Sequence, residues 1–403
     1  MYNCTKILRI ILPEEKMKHI GLKFSALMFP YFTMWAIGPG FFVVVLEQKG
    51  IAANETAIYT CLIAIVAAVV QPLMGFLCDR TGKAKTILSL SMIISVLAYV
   101  WLYFLNDRFQ LVLCSIVIGA TINAMYGFSE GWLSKLDCTK LGVNFGAVRS
   151  IGSISYAIAA GVYGQIFDIF GSASLPISMA ISTLVLVPVA MMCPNPQINE
   201  EQKQKGQFSK AFGELLKNKR FVLMIICYFM AFIPTGAANS YLAIHIRQLG
   251  GTAGDVGLAL FILAGMEFII MPFYKKLEKR FGTEKLLIFA FFMYGIKNLA
   301  IGLSGNVTMA VIASATNGFC FPLSITGVQS YVDQITPREY AATAQLVSNT
   351  SGMIISQIVG LALCGVITTF TTAGVALAAL SVFAFAGCTI FATGLRKLNK
   401  TKA

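Results

Sequence analysis

Twelve times along this chain an unbroken apolar run of helix length recurs between short polar breaks, near residues 22–46, 55–77, 86–105, 109–133, 146–170, 173–193, 221–246, 254–274, 285–304, 306–332, 341–368 and 372–394. A bilayer core requires roughly 20 apolar residues per crossing, and short connections leave room for about a dozen crossings in a chain of this size. Composition agrees, with 57% hydrophobic and 12% charged residues, where a soluble domain carries about a quarter charged. Period-2 alternation appears nowhere over strand length, which excludes a membrane barrel. The expected fold is an all-α polytopic membrane protein with twelve transmembrane helices in two six-helix bundles, residues 21–193 and 221–395. A polar linker, 194–220, joins them, and short arms, 1–20 and 396–403, flank them. The linker holds Pro194 and Pro196 and an amphipathic piece around Phe208, Phe212, Leu215 and Leu216.

Charge sets the orientation. Of the 31 Lys and Arg residues, 26 fall in the termini, the linker and one set of alternate loops, whereas the opposite loops hold only Lys49, Arg108 and Arg247. Positive charge stays on the cytoplasmic side of short loops, so both termini and the linker are expected in the cytoplasm of a bacterial cell. The net charge of +13 then reflects topology and does not imply nucleic acid, whose binders cluster cations on one surface. Lys6, Arg9, Glu14, Glu15, Lys16 and Lys18 precede the first long apolar run, so no cleavable signal is expected. Cys61, Cys114, Cys227 and Cys364 lie inside apolar runs, and no Cys/His spacing points to a metal or a disulfide framework. These cysteines read as small core residues, and neither metal nor cofactor is expected.

After the second span come Gly75, Asp79, Arg80, Gly82, Lys83 and Lys85, spaced as G-x-L-x-D-R-x-G-x-x-K. Two hundred positions on, after the eighth span, Arg280, Gly282 and Lys285 repeat Arg80, Gly82 and Lys85. The same loop in two six-helix halves argues for duplication, and a parallel repeat of this kind places a solute site near mid-membrane. The chain thereby resembles the major facilitator superfamily over essentially its whole length. That resemblance implies that Asp79, Arg80 and Lys83, with Gly75 and Gly82, form a cytoplasmic gate; plain cytoplasmic anchoring is the alternative.

Ionisable residues inside a bilayer cost at least about 2.5 kcal/mol each on insertion scales and so face a cavity or a partner. Four stand out: Glu130, Arg149, Glu267 and Lys297. Asn123 lies seven residues before Glu130, which on a continuous helix puts both on one face. Arg149, Ser153 and Tyr156 form a second stripe, at steps of four and three. A Glu and an Arg on adjacent helices compensate each other while empty and can turn their hydrogen bonds to a polyhydroxylated ligand, with an aromatic face for its ring.

The stretches 129–135 and 145–152 narrow the resemblance to oligosaccharide/proton symporters of the lactose permease type. It implies sugar binding by Glu130 and Arg149, ring stacking on Tyr156, and coupling through Glu267 and Lys297, the last replacing an Arg. The family's tenth-helix His and Glu correspond here to Asn317 and Cys320, and its acidic pair on the seventh helix to Ala237 and Ser240. The family's own route for proton coupling therefore lacks its titratable residues here, and facilitated diffusion competes with symport.

Plainer readings compete at each position. Glu130 with Arg149, and Glu267 with Lys297, could be static pairs. Gln345, Ser348, Asn349 and Ser356, like Asn317 and Ser324, could be interhelical glue. Trp35, Phe41 and Phe42 read as packing, His19 as solvated and His245 as a surface residue, while Pro39, Pro72, Pro234 and Pro322 should kink their helices. The sequons at Asn54 and Asn306 are taken as chance. The chain lacks a G-x-x-x-x-G-K-[ST] loop, H-E-x-x-H and G-x-S-x-G, so an enzyme is not expected. Its fifth span has Gly152, Gly161 and Gly164 but no Gly-Pro, which argues against a drug antiporter; a non-transporting sensor would need an output domain. What remains is a monomeric carrier importing a sugar or oligosaccharide, with a nucleoside as the alternative solute.

Overall fold

The computed structural model describes residues 14–135, 145–196, 207–337 and 340–400, and among these the regular elements are helical. The chain divides into two compact units: one takes the residues up to Val45 together with Leu62–Glu200, the other takes Leu46–Cys61 together with Glu201–Ala403.

The first unit holds most of α1 (Glu14–Gln48) and α2 (Ala53–Thr81), apart from residues 46–61, and all of α3 (Ala84–Phe104), each long enough to cross a membrane. The fourth crossing is interrupted. α4 (Arg108–Ile118) runs into a π-helical turn over Gly119–Asn123, a hydrogen-bonded turn follows, and Gly127 takes φ +72° before α5 (Phe128–Lys135) begins. Two local features explain the break. Thr121 Oγ1 donates to the carbonyls of Val117 and Ile118 at 2.7 and 3.3 Å, competing with the helical ladder. Gly119 rests on α2, where a Cβ would lie 2.8 Å from the Ile63 carbonyl. α6 (Phe145–Phe170) and α7 (Ser174–Met192) complete the unit. Its interior is aromatic, with Phe24 edge-on to Trp132 at 5.2 Å and Phe41 edge-on to Tyr163 at 4.8 Å.

The second unit opens with the amphipathic linker helix α8 (Gln207–Lys217), whose Leu215 is buried while Phe212 and Leu216 stay exposed. Glu214, hydrogen-bonded to Lys217 at 2.7 Å, holds that ammonium above its ordinary range. α9 (Lys219–Gln248), α10 (Ala253–Ile270), α11 (Tyr274–Phe281) and α12 (Thr283–Gly302) follow. The tenth crossing repeats the interruption of the fourth: α13 (Val307–Ala313), a 3₁₀ turn over Ser314–Phe319, then α14 (Phe321–Ile335). Pro322 sits in the first turn of α14, where its missing N–H costs nothing; it separates two helices rather than kinking one. α15 (Ala341–Asn349) passes through a π turn, Thr350–Ile355, into α16 (Ser356–Thr368), and α17 (Ala373–Lys400) ends the described chain.

Helix starts are capped by polar residues near the breaks between spans. Asp107 accepts from Gln110 N, Asn218 from Arg220 N and Phe221 N, and Asn306 from Met309 N, while Thr252 and Asp255 form a capping box. Each cap contributes about 1 kcal/mol. Between helices, lipid removes the hydrophobic driving force, so close contact depends on small residues. Within the second unit a Cβ on Gly360 would collide with the Ile233 carbonyl, and one on Gly302 with that of Gly374. Large apolar side chains point outward instead, such as Leu184 at 74% exposure and Val382 at 65%. On a chain of this composition, that surface faces lipid.

The residues 46–61 carry their own set of contacts in the second unit. Arg247 Nε donates to Glu47 Oε2 at 2.8 Å, and Arg247 Nη1 to the Gly251 carbonyl at 2.8 Å. Tyr241 OH reaches the Ala53 carbonyl at 3.5 Å. Gly365 admits the methyl group of Ala57, which a Cβ added at Gly365 would overlap.

Candidate functional site

In the first unit the predicted stripe on α6 exists. Arg149 Nη1 donates to Ser153 Oγ at 3.3 Å, one turn on. The guanidinium lies over the ring of Phe32 on α1, 4.7 Å from its centroid. Phe32 can come this close because the helix carries Gly152, where a Cβ would be 2.5 Å from the ring. Tyr156 is half-buried on the same helix. Asn123 is half-buried and makes no side-chain hydrogen bond among the described residues. The continuous helix on which Asn123 and Glu130 were expected to share a face is absent here, because the backbone between them leaves the α-helix and turns at Gly127. The side chain of Glu130 lies outside the described residues, as does that of His19.

Two aromatic residues, Trp35 and Tyr126, carry features that the sequence reading missed. Phe41 and Phe42 are buried packing, as expected, at 0% and 3% exposure, but Trp35 is not sealed in the same way. Its ring meets Tyr126, in the turn that interrupts the fourth crossing, with centroids 4.8 Å apart and planes at 55°. Its Nε1–H is buried with no hydrogen-bond partner among the described residues, a deficit of about 1–3 kcal/mol. Tyr31 OH donates to the Met125 carbonyl, next in the chain to Tyr126.

In the second unit Glu267 and Lys297 do not meet directly. Asn317 stands between them: its Oδ1 accepts from Lys297 Nζ at 3.0 Å and its Nδ2 donates to Glu267 Oε1 at 2.7 Å. The amide presents its carbonyl to the cation and its NH₂ to the anion, the one orientation that suits both. Lys297 is 1% exposed, and its Nζ also lies 5.4 Å from the Tyr294 ring centroid. Tyr294 OH pairs with Ser324 Oγ at 2.6 Å. Glu267 is only partly buried, so the buried end of this chain of contacts is the lysine. Asn317 sits in the 3₁₀ turn that interrupts the tenth crossing, as Asn123 sits in the π turn of the fourth.

The two loop motifs share a backbone feature, since Gly82 and Gly282 both take positive φ, +66° and +83°, which favours glycine. In the first copy Lys85 Nζ donates to the Met191 carbonyl at 3.3 Å, a cation on the C-terminus of α7. Asp79, Arg80 and Lys83 are exposed, and Gly75 has no atom within 4 Å of a Cβ built there. In the second copy the acid stands one residue earlier than the repeat predicts. Glu278 accepts from Tyr274 OH at 3.2 Å, Thr283 Oγ1 at 2.9 Å and Ser330 Oγ on α14, and Gln334 donates to Thr283 Oγ1 at 2.8 Å. His245, expected at the surface, is 5% exposed with its Nε2 3.0 Å from Ser304 Oγ. Ser348 and Ser356 donate one turn back, to the carbonyls of Ala344 and Gly352, while Gln345 reaches Gln329 O on α14 at 3.0 Å.

The MFS_1 like family model matches residues 21–379. The chain belongs to that family. It is thus a major facilitator transporter, a multi-pass membrane protein. The maltose permease of Geobacillus stearothermophilus is 26% identical over 315 residues, covering 78% of this chain and 79% of that one. The uncharacterized transporter YwbF of Bacillus subtilis (strain 168) is 25% identical over 332 residues, covering 79% and 78%. Among solved structures, that of the nucleoside transporter NupG superposes with a TM-score of 0.76 at 15% identity, covering 93% of this chain and 99% of that one; at that identity the likeness is one of fold.

Proposed function

We propose that this transporter imports a small hydroxyl-rich solute, a sugar or oligosaccharide, across the cell membrane by alternating access, with both termini in the cytoplasm. The observation that carries the reading is Arg149, a cation within a membrane helix held over Phe32 and steadied by Ser153. A guanidinium offers five donors in a fixed fork, suited to vicinal hydroxyls. The maltose permease relative supports the same solute class. Asn123 and Tyr156 add an uncommitted amide and an aromatic face, and Glu130 completes the set. Asp79, Arg80 and Lys83 act as the cytoplasmic gate.

Glu267 and Lys297 act as the coupling element, linked by Asn317. Their contact through a neutral amide favours a relay that changes when the second unit rearranges. Counterflow of labelled maltose in proteoliposomes tests the reading, with uridine in parallel. Saturable maltose counterflow is expected in the wild type, and Arg149→Ala should abolish it while expression and melting stay normal. Normal transport by that variant would defeat the site assignment. A pH gradient across the same vesicles should drive maltose accumulation if the element carries protons, and leave it unchanged in a uniporter.

A further inference from the structure

A tryptophan used only for packing is usually satisfied at its N–H. Trp35 is not. On α1 its neighbours Met34 and Ala36 are fully buried, yet Trp35 keeps part of its surface open and, among the described residues, leaves its indole N–H without a partner. The ring that covers it belongs to Tyr126, in the turn between the π segment and α5. That stretch is irregular backbone inside an apolar span, which a membrane tolerates where it is buried in protein or lines a wet cavity. π-helical turns inside helices also concentrate at functional sites. Three residues before Tyr126, and joined to it by a backbone bond of 3.1 Å, Asn123 carries an amide with no hydrogen-bond partner among the described residues.

Two aromatic faces and an indole donor with no partner among the described residues therefore meet at the interruption of the fourth crossing, and the turn that carries Tyr126 also carries the amide of Asn123, all within the first unit. This is the inventory a ring with an apolar face and equatorial hydroxyls requires: faces to stack on and donors at the rim. We infer that Trp35 and Tyr126 are the ring-binding pair of this carrier, with the Trp35 N–H donating to a ligand hydroxyl once Tyr126 shifts with the turn. The inference rests on the reading above that the chain takes a hydroxyl-rich solute. It adds a ring-stacking residue on α1 where that reading used Tyr156 on α6.

The chain has three tryptophans, Trp35, Trp101 and Trp132, so Trp35 can be watched alone. In the full-length purified protein carrying Trp101→Phe and Trp132→Phe, maltose is titrated while Trp35 emission is recorded. Calorimetry follows maltose and uridine binding to the wild type and to Trp35→Phe in an otherwise native chain. Phe keeps a ring against Tyr126, so melting should stay normal, but it has no donor. A saturable change in emission is expected, with maltose affinity roughly tenfold weaker in Trp35→Phe. Full-strength maltose binding with silent emission and an unchanged Trp35→Phe affinity would overturn this pair and leave the solute class standing. No binding of either probe to the wild type would overturn the solute class and this pair together.

Discussion

Asn317 shows what a single side chain can hold together. Lys297 has its Oδ1 as the hydrogen-bond acceptor among the described residues, and an ion buried at 1% exposure without an acceptor is costly. Asn317→Leu, similar in volume, should destabilise the protein by about 3 kcal/mol, read as a fall in melting temperature in detergent. Lys297→Met added to it should restore much of that loss; equal destabilisation in the single and double variants would remove the bridge from this account. From sequence, Asn317 was visible as the replacement for a family histidine, but not as a bridge, because nothing in a one-dimensional pattern says that two ionisable side chains stop short of each other. Arg149 and Ser153 were legible for the opposite reason, since a spacing of four on one unbroken helix fixes their proximity. The Trp35 donor, which has no partner among the described residues, left no trace in the pattern at all: indole packs and binds with the same residue letter.

Among the elements, the spans were legible because lipid demands an apolar length, and the helices follow the predicted runs closely. Their interruptions were not. Gly119, Thr121 and Gly127 look like ordinary tolerated residues in a membrane helix, and only the contact with the Ile63 carbonyl and the hydroxyl back-bonding turn them into a break. The second loop motif was half legible. Gly282 marks it, but its acid is shifted by one position, and Glu278 acts through three hydroxyls from Tyr274, Thr283 and Ser330. Glu278→Ala should therefore loosen the join between α11 and α14, costing about 1–3 kcal/mol and raising amide exchange over residues 274–283 and 328–335. Adding Lys279→Glu to that variant puts an acid where the repeat expects one, and should not recover the lost protection. Exchange unchanged from the wild type in both variants would make Glu278 a bystander.

For the molecule as a whole, the ion pair of Glu47 with Arg247 is partly exposed, at 42% and 29%, and by itself contributes at most about 1 kcal/mol. Glu47→Arg should weaken the docking of residues 46–61 modestly, and the reversal Glu47→Arg with Arg247→Glu should recover it, as judged by melting. Residues 46–61 are covalently the end of α1 and the start of α2, yet they are packed as part of the second unit. The first half of the chain thus lends a segment to the second, so the peptide backbone between residues 197 and 206 is not the sole tether of the two halves. A chain cut there, or expressed as two fragments in one cell, should still be recovered as a pair on a single affinity tag, and the link could be lengthened freely without loosening that grip.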